Sequence, residues 1–241
     1  MTAKEARQAQ WAKLKDQPLQ AKLKYIFTYY WAVIFGIAFA IFFVVSWLVF
    51  SLTQKEAVLS GYLLNSSTIK TYPGVIAEDF MADQQIDSQN YTFDLTGDIY
   101  YLDSETYILE TIVTRIGARD LDFVVTDIYT CPIFSAHFAE LETILTEEQL
   151  AKYSQYFVYV ERSALEELKE GDVGAGYTLP EFHTTSEGLN DPVALGLRIP
   201  ESSRLLAAYS FVGDDVIFGI AHNTQRLSRT LAFLDYILQE P

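Results

Sequence analysis

Hydrophobic positions form one continuous block near the start of the chain, where thirty successive residues, Tyr25 to Gln54, carry no formal charge. The hydrocarbon core of a bilayer is about 30 Å thick, and a helix needs roughly 20 apolar residues to cross it. Only a helix satisfies the backbone polar groups of such a segment in lipid. The pattern predicts a transmembrane helix over residues 25–54, which separates a tail, residues 1–24, from a domain, residues 55–241.

Beyond the apolar block, short hydrophobic runs alternate with helical stripes. Short runs bounded by turn residues are typical of strands, and apolar residues recurring every three or four positions are typical of helices. Strands are predicted over residues 57–64, 91–95, 121–125, 156–160, 193–199 and 216–220. Helices are predicted over residues 73–82, 104–117, 132–139, from 146, 164–170 and from about 224 to 238, and residues 171–192 form a predicted loop. This alternation predicts an α/β domain with a mostly parallel sheet flanked by helices.

Charge differs sharply on the two sides of the apolar block. The preceding tail holds six basic and two acidic residues, and the following domain holds 11 basic and 30 acidic residues. Basic residues close to a membrane span stay on the cytoplasmic side. We therefore expect a single-pass protein of the cell membrane with a cytoplasmic N-terminus and an extracytoplasmic domain over residues 55–241.

A cleaved signal peptide is the main alternative to a permanent anchor. Its apolar region is about 7–15 residues long and is followed by a small-residue cleavage site. The apolar block here is longer, and residues 51–55 contain no convincing pair of small residues at that spacing. Length also argues against a buried core helix. The sequence favours an uncleaved signal anchor.

The acidity of the domain limits its partners. Binding to nucleic acid requires a patch of lysine and arginine, and the sequence after Lys55 offers none. The lipid bilayer is the one partner that the apolar block predicts directly, and the basic tail can contact an anionic lipid surface. The single cysteine, Cys131, excludes an intramolecular disulfide and is interpreted as a buried small apolar residue. Scarce cysteine outside the membrane fits a bacterial cell envelope.

Motifs for catalysis or metal binding are absent from the sequence. The three histidines, His137, His183 and His222, are far apart along the chain and belong to no H-E-x-x-H motif. No G-x-S-x-G motif occurs either. We therefore predict a domain that is not an enzyme, with no metal and no cofactor.

Several stretches resemble the extracytoplasmic solute-binding proteins of bacterial ABC transporters, which have a type II periplasmic-binding-protein-like fold. The stretches are residues 112–127, which contain Asp122-Phe-Val-Val-Thr-Asp127, residues 138–145, and residues 217–224 together with 232–238. Residues 22–30 look like the membrane segment of small anchored proteins from Gram-positive bacteria. The resemblance implies a reduced, membrane-anchored relative, since a two-lobed binding protein usually needs well over 187 residues.

The resemblance also implies where a ligand would bind. In open α/β sheets, ligands bind beyond the carboxyl ends of the strands. The residues at predicted strand ends are Asn65, Ser66, Asp127 and Tyr129, which we take as candidate ligand-binding residues. Each has a structural alternative: Asn65 and Ser66 as turn residues, Asp127 as the cap of the next helix, and Tyr129 as a core residue.

Three functions are compatible with this sequence. The first is a membrane-anchored, solute-binding-like domain that captures a small solute, which requires an enclosed cleft lined by Asn65, Asp127 and aromatic side chains. The second is a structural or assembly component that contacts an envelope protein, which requires a closed fold and an exposed apolar patch. The third is an envelope hydrolase, which requires a nucleophile and a base within hydrogen-bond reach.

Overall fold

The computed structural model describes residues 18–101, 106–170 and 179–241. The chain divides into two compact units, residues 1–54 and residues 55–241.

The described part of the first unit is a single helix, α1, Leu19–Thr53, of 35 residues. Pro18 immediately precedes the helix and has an extended backbone conformation, so the helix begins at Leu19. Its 22-residue stretch Tyr30–Ser51 has a mean hydropathy of 2.8, so the helix is long and apolar enough to cross a membrane. This stretch carries exposed apolar side chains on every face of the helix, which is typical of a helix in an apolar environment.

The second unit contains a six-stranded sheet and a separate two-stranded sheet. The strands are β1 (Glu56–Leu64), β2 (Ser66–Thr68), β3 (Tyr91–Ile99), β4 (Phe123–Asp127), β5 (Phe157–Glu161), β6 (Pro192–Ile199), β7 (Tyr209–Phe211) and β8 (Val216–Ile220). The large sheet has the order β3-β1-β4-β8-β6-β5, and β2 pairs with β7 in an antiparallel ribbon. β1 pairs in parallel with β3 and β4, whereas the β4–β8, β8–β6 and β6–β5 pairs are antiparallel. Four of the six strands therefore point in one direction.

Helices cover both faces of the large sheet. They are α2 (Ile76–Asp83), α3 (Thr106–Gly117), α4 (Cys131–Phe134), α5 (Leu141–Ile144), α6 (Glu147–Tyr153), α7 (Arg162–Glu170), α8 (Arg204–Ala208) and α9 (Leu227–Leu238). Short 3₁₀ turns follow α4 and α6. A capping box begins α6, because the side chains of Thr146 and Gln149 each accept a hydrogen bond from the backbone N–H of the other residue.

Two apolar cores lie on opposite faces of the sheet. One packs α2 and α9 against it, and the other packs α3, α4 and α7. Phe123 on β4 stacks on Phe218 and Phe233, with ring centroids 4.7 and 5.2 Å apart. A Cβ on Gly61 of β1 would lie 2.1 Å from the Phe123 ring, so the neighbouring strand needs glycine there. Aromatic packing thus binds the centre of the sheet to α9.

The predicted α/β sheet with flanking helices is confirmed, and all six predicted strands lie in it. The strand predicted over residues 91–95 is too short, because β3 continues to Ile99, with only Asp98 of the strand in a left-handed conformation (φ 57°). The small β2–β7 sheet was not predicted, since three-residue strands carry too short a pattern. Ser104 and residues 171–178 lie outside the described residues.

Candidate functional site

The carboxyl ends of β1 and β4 lie side by side in the large sheet. From β1 the chain passes through α2 to β3 on one side, and then through α3 to β4 on the other side. The strand order therefore reverses between β1 and β4. Such a topological switch point is where open α/β sheets usually place a ligand site.

Asn65 directly follows β1 at this point and has a left-handed backbone, with φ 53°. Asparagine is one of the few residues other than glycine that adopts this conformation routinely. Its side-chain Nδ2 donates to Asp127 Oδ2 at 2.7 Å and to Thr130 Oγ1 at 2.8 Å. Its Oδ1 accepts from the backbone N–H of Tyr101 at 2.7 Å. The amide is buried and is used at both ends by the protein itself.

Asp127 ends β4 and is buried. Its Oδ1 accepts from the backbone N–H groups of Tyr129 and Thr130, each at 3.0 Å, which fixes the turn into α4. Burial acts to raise the pKa of this carboxyl, but hydrogen bonds from Asn65, from Thr130 and from these backbone groups outweigh it, so the pKa lies below its ordinary value. The carboxylate is therefore ionised, and the groups of the described residues that donate to it are all neutral.

Ser66 is fully buried and donates from its hydroxyl to the carbonyl of Leu63 at 2.8 Å. This contact agrees with the interpretation of Ser66 as a turn residue, because the hydroxyl donates to a backbone carbonyl three residues earlier. Ser66 also begins β2, which pairs with β7 at Phe211. The β2–β7 ribbon therefore starts at the carboxyl end of β1.

The segment after β7 lies over Asp127. The backbone N–H of Val212 donates to the carbonyl of Asn65 at 3.0 Å. A Cβ on Gly213 would come within 2.9 Å of the Asp127 Cβ, so this position accepts only a very small residue. Residues 212–215 thus pack against Asp127 and shield its carboxylate from solvent.

Large apolar side chains are exposed around this covered network. We call Tyr100, Tyr129 and Val212 the aromatic patch. Tyr129 is 81% exposed and Val212 is 72% exposed. The Tyr129 ring lies 3.8 Å from the place of a Gly213 Cβ, and Tyr100 adjoins the residue that bonds to the Asn65 amide. The core interpretation of Tyr129 is therefore wrong.

Of the four predicted residues, the structure joins Asn65 and Asp127 directly, turns Ser66 inward and exposes Tyr129. Sequence reasoning missed Thr130 and Val212. A hydroxyl three residues after an aspartate is a frequent turn partner, so Thr130 had a weak local signal. Val212 had none, because it reaches Asn65 only through the β2–β7 pairing.

Other reactive side chains form no recognisable centre. Among the described residues, no group of three or more histidine, cysteine or acidic side chains could hold a metal ion. Burial, and then the Asp127 charge, raise the pKa of Cys131, which keeps the thiol protonated. Two of the histidines do meet in space: the Nδ1 of His222 lies 3.0 Å from the carbonyl oxygen of His137. Burial, and then His222, lower the pKa of His137, which favours its neutral form.

Comparisons with protein-family models, with curated proteins and with solved structures find no match. The class that the structure defines is an α/β domain preceded by one long apolar helix. The function is therefore inferred from the side chains at the carboxyl ends of β1 and β4.

Proposed function

We propose that this is a single-pass membrane protein whose C-terminal domain binds another protein through the aromatic patch. The observation that carries the proposal is the exposure of Tyr129 directly above a polar network that is closed on itself. Under this proposal α1 anchors the chain, and the basic tail keeps the N-terminus in the cytoplasm. The acidic domain then lies outside the cell membrane.

The polar groups at the switch point are poorly suited to a solute. The Asn65 amide already serves three partners, and the Asp127 carboxylate accepts four hydrogen bonds or close polar contacts. A solute bound there would have to replace these bonds, and each buried group left without a partner costs about 1–3 kcal/mol. A partner that docks on the surface above them needs no such exchange.

The aromatic patch has the chemistry of a protein interface. Tyrosine is enriched in interface cores because its ring buries apolar area and its hydroxyl still forms hydrogen bonds. Exposed apolar patches on soluble domains commonly mark interaction sites. The domain's excess of acidic residues favours a partner with a neutral or basic surface. These features support a protein partner over nucleic acid or an anionic lipid surface.

Site-specific photo-crosslinking tests this proposal. A photoreactive phenylalanine analogue at position 129 of the full chain, in its native membrane, should give discrete crosslinked products. The matched control is the same analogue at Tyr91, a partly exposed tyrosine at the opposite end of β3. Products at 129 that disappear in a Val212→Asp background would support the patch. Equal products at both positions, or none at 129, would contradict it.

Cysteine labelling tests the orientation. The only native cysteine is buried, so a membrane-impermeant maleimide should leave the parent protein unlabelled. Ser202→Cys should react on intact cells, whereas Gln10→Cys should react only after lysis. The reverse pattern would overturn the orientation. Recovery of the domain free in the medium, without α1, would indicate a cleaved signal peptide.

Solute binding at the switch point is the second candidate, and the reversal of strand order between β1 and β4 favours it. It requires residues 212–215 to move off Asp127. A bound solute should raise the melting temperature of the full chain in detergent. That gain should be lost in Asp127→Asn if the solute uses this carboxylate, and its persistence would exclude the candidate.

A further inference from the structure

A cavity of about 450 Å³ lies at the same edge of the sheet and shares no lining residue with the aromatic patch. It is lined by Gln155, Tyr156, Arg198, Pro200, Glu201 and Ser202. Phe157 at the start of β5 pairs with Leu197 near the end of β6. Residues 198–202 place the cavity at the carboxyl end of β6. Because β6 runs parallel to β4, this end of β6 lies on the same side of the sheet as the carboxyl end of β4.

Arg198 is the exposed side chain of an otherwise largely buried strand. Its Nε lies 2.6 Å from Asp215 Oδ1, a buried oxygen that accepts no hydrogen bond from the described residues, so the contact is an ion pair. Asp215 immediately precedes β8, which pairs with β6, so the ion pair is formed between neighbouring strands. Opposite charge therefore holds the Nε side of the guanidinium against Asp215.

The terminal nitrogens of Arg198 differ from those of the structural arginines. Arg226 donates through Nε, Nη1 and Nη2 to groups of its own chain, and Arg115 does the same. Within the described residues, the contacts of Arg198 use only Nε. Arg198 is half-exposed and lines the cavity, which leaves its Nη1 and Nη2 for a ligand. A guanidinium edge with two parallel N–H donors matches a carboxylate or a phosphate.

The charge of Glu201 favours a carboxylate over a phosphate as the ligand of Arg198. Glu201 lines the same cavity and is exposed, so it disfavours a doubly charged phosphate and attracts an ammonium group. The strong negative charge of the domain acts in the same sense at longer range. A cavity of this volume is within the range of small-molecule sites. A molecule with one carboxylate and one ammonium satisfies both side chains.

We propose that this cavity binds an α-amino acid, with its carboxylate on the free edge of Arg198 and its ammonium group on Glu201. Gln155, Tyr156 and Ser202 then surround the amino acid's side chain and supply polar contacts. This site is separate from the aromatic patch and does not rest on the protein partner proposed above.

Calorimetric titration of the full chain in detergent tests the proposal. The probes are L-alanine, L-leucine, L-glutamine and L-phenylalanine, with propionate and ethylamine as fragments that carry only one of alanine's charges. At least one amino acid should bind, and both fragments should bind more weakly than alanine if alanine does. Arg198→Gln should weaken binding by about tenfold or more. Arg229→Gln removes the same charge from an exposed position on α9 and should leave binding unchanged.

Glu201→Gln is the second variant, because it lies in an exposed turn where substitution leaves the fold intact. It should weaken amino-acid binding and leave propionate binding unchanged. Absence of binding by all four amino acids at millimolar concentration would overturn the proposal, as would unchanged affinity in Arg198→Gln. Amino-acid binding that is lost in Asp127→Asn but kept in Arg198→Gln would instead place the ligand at the switch point. None of these outcomes alters crosslinking at position 129.

Discussion

Two buried aspartates at opposite ends of β4 show how differently this domain treats its two edges. Asp122 immediately precedes the strand, and Asp127 ends it. Both side chains are buried, and both serve as acceptors for groups from distant parts of the chain. They differ in the charge of their partners and in what lies beside them.

Asp122 is paired with a cation of its own chain. Its Oδ1 accepts from Arg226 Nε at 3.0 Å and from the Thr224 hydroxyl at 2.6 Å, and its Oδ2 accepts from the backbone N–H of Ser60 at 2.8 Å. Arg226 continues to the carbonyls of Ala57 and Asp120. These contacts join β1, β4 and the start of α9, and they use all three nitrogens of the guanidinium.

Asp127 is held by neutral donors, and the exposed aromatic patch lies directly beside it. Its partners shape a turn and a loop, whereas those of Asp122 lock a helix to the sheet. At the amino end of β4, the buried charges therefore serve the stability of the fold. At the carboxyl end of β4, the network around Asp127 holds the turn in place while the aromatic patch beside it stays exposed to a partner.

Removing Asp122 should have the largest effect. Asp122→Ala leaves Arg226 without its buried carboxylate and Ser60 N–H without an acceptor, which costs about 3–5 kcal/mol of unfolding free energy. Urea unfolding of the full chain in detergent measures it by circular dichroism, because all three tryptophans precede residue 55. Asp120→Ala, which breaks only a more exposed ion pair with Arg115, should cost less than about 1 kcal/mol. Similar costs for both variants would contradict the role of Asp122.

Asn65→Ala should have the next largest effect at the carboxyl edge. It removes the amide from Asp127 and Tyr101 and forces alanine into a left-handed conformation, for a total of about 3 kcal/mol. Asn65→Gly keeps the backbone conformation and isolates the loss of the amide, so it should cost about 1 kcal/mol less. The same urea titration compares the two variants. Equal losses would show that the left-handed backbone contributes nothing.

The charge on Asp127 should give a smaller, pH-dependent effect. Because its pKa is lower in the folded protein than in the unfolded chain, its ionised form stabilises the fold at neutral pH. That contribution should disappear as the pH falls below the ordinary aspartate value of about 3.9 and through the lower folded value. The measurement is the difference in unfolding free energy between the parent and Asp127→Asn across this pH range. A difference that grows as the pH falls would reverse the sign and refute the assignment.

Tyr129→Ser should have the smallest effect on stability, within about 0.5 kcal/mol, because the side chain is exposed. The same substitution at buried Tyr153, whose hydroxyl donates to Asp235 at 2.8 Å, should cost about 3 kcal/mol or more. Thermal unfolding compares the two. A large loss of stability at 129 would show that this ring supports the fold and would weaken the case for a docking surface.

Much of the fold could be predicted because its signals are local. The hydrophobic run of β1, the helical stripe of α3 and the capping box of α6 each depend on residues close together in the chain. The antiparallel half of the sheet was not predicted. The direction of β8 relative to β4 depends on connections that no short pattern records. The β2–β7 ribbon joins residues more than 140 positions apart, which also lies beyond local patterning.

The apolar helix, the acidity of the domain and the candidate residues Asn65 and Asp127 could all be found from the amino-acid sequence, because composition and strand ends are properties of the chain. The three-dimensional fold was needed to show that these two side chains bond to each other while Tyr129 remains exposed. It also decided that Arg198 and Asp215 meet beside a cavity. The physical reason is that burial and pairing are set by contacts between strands distant in sequence, and a side chain's chemistry alone does not show which of its donors the fold will use.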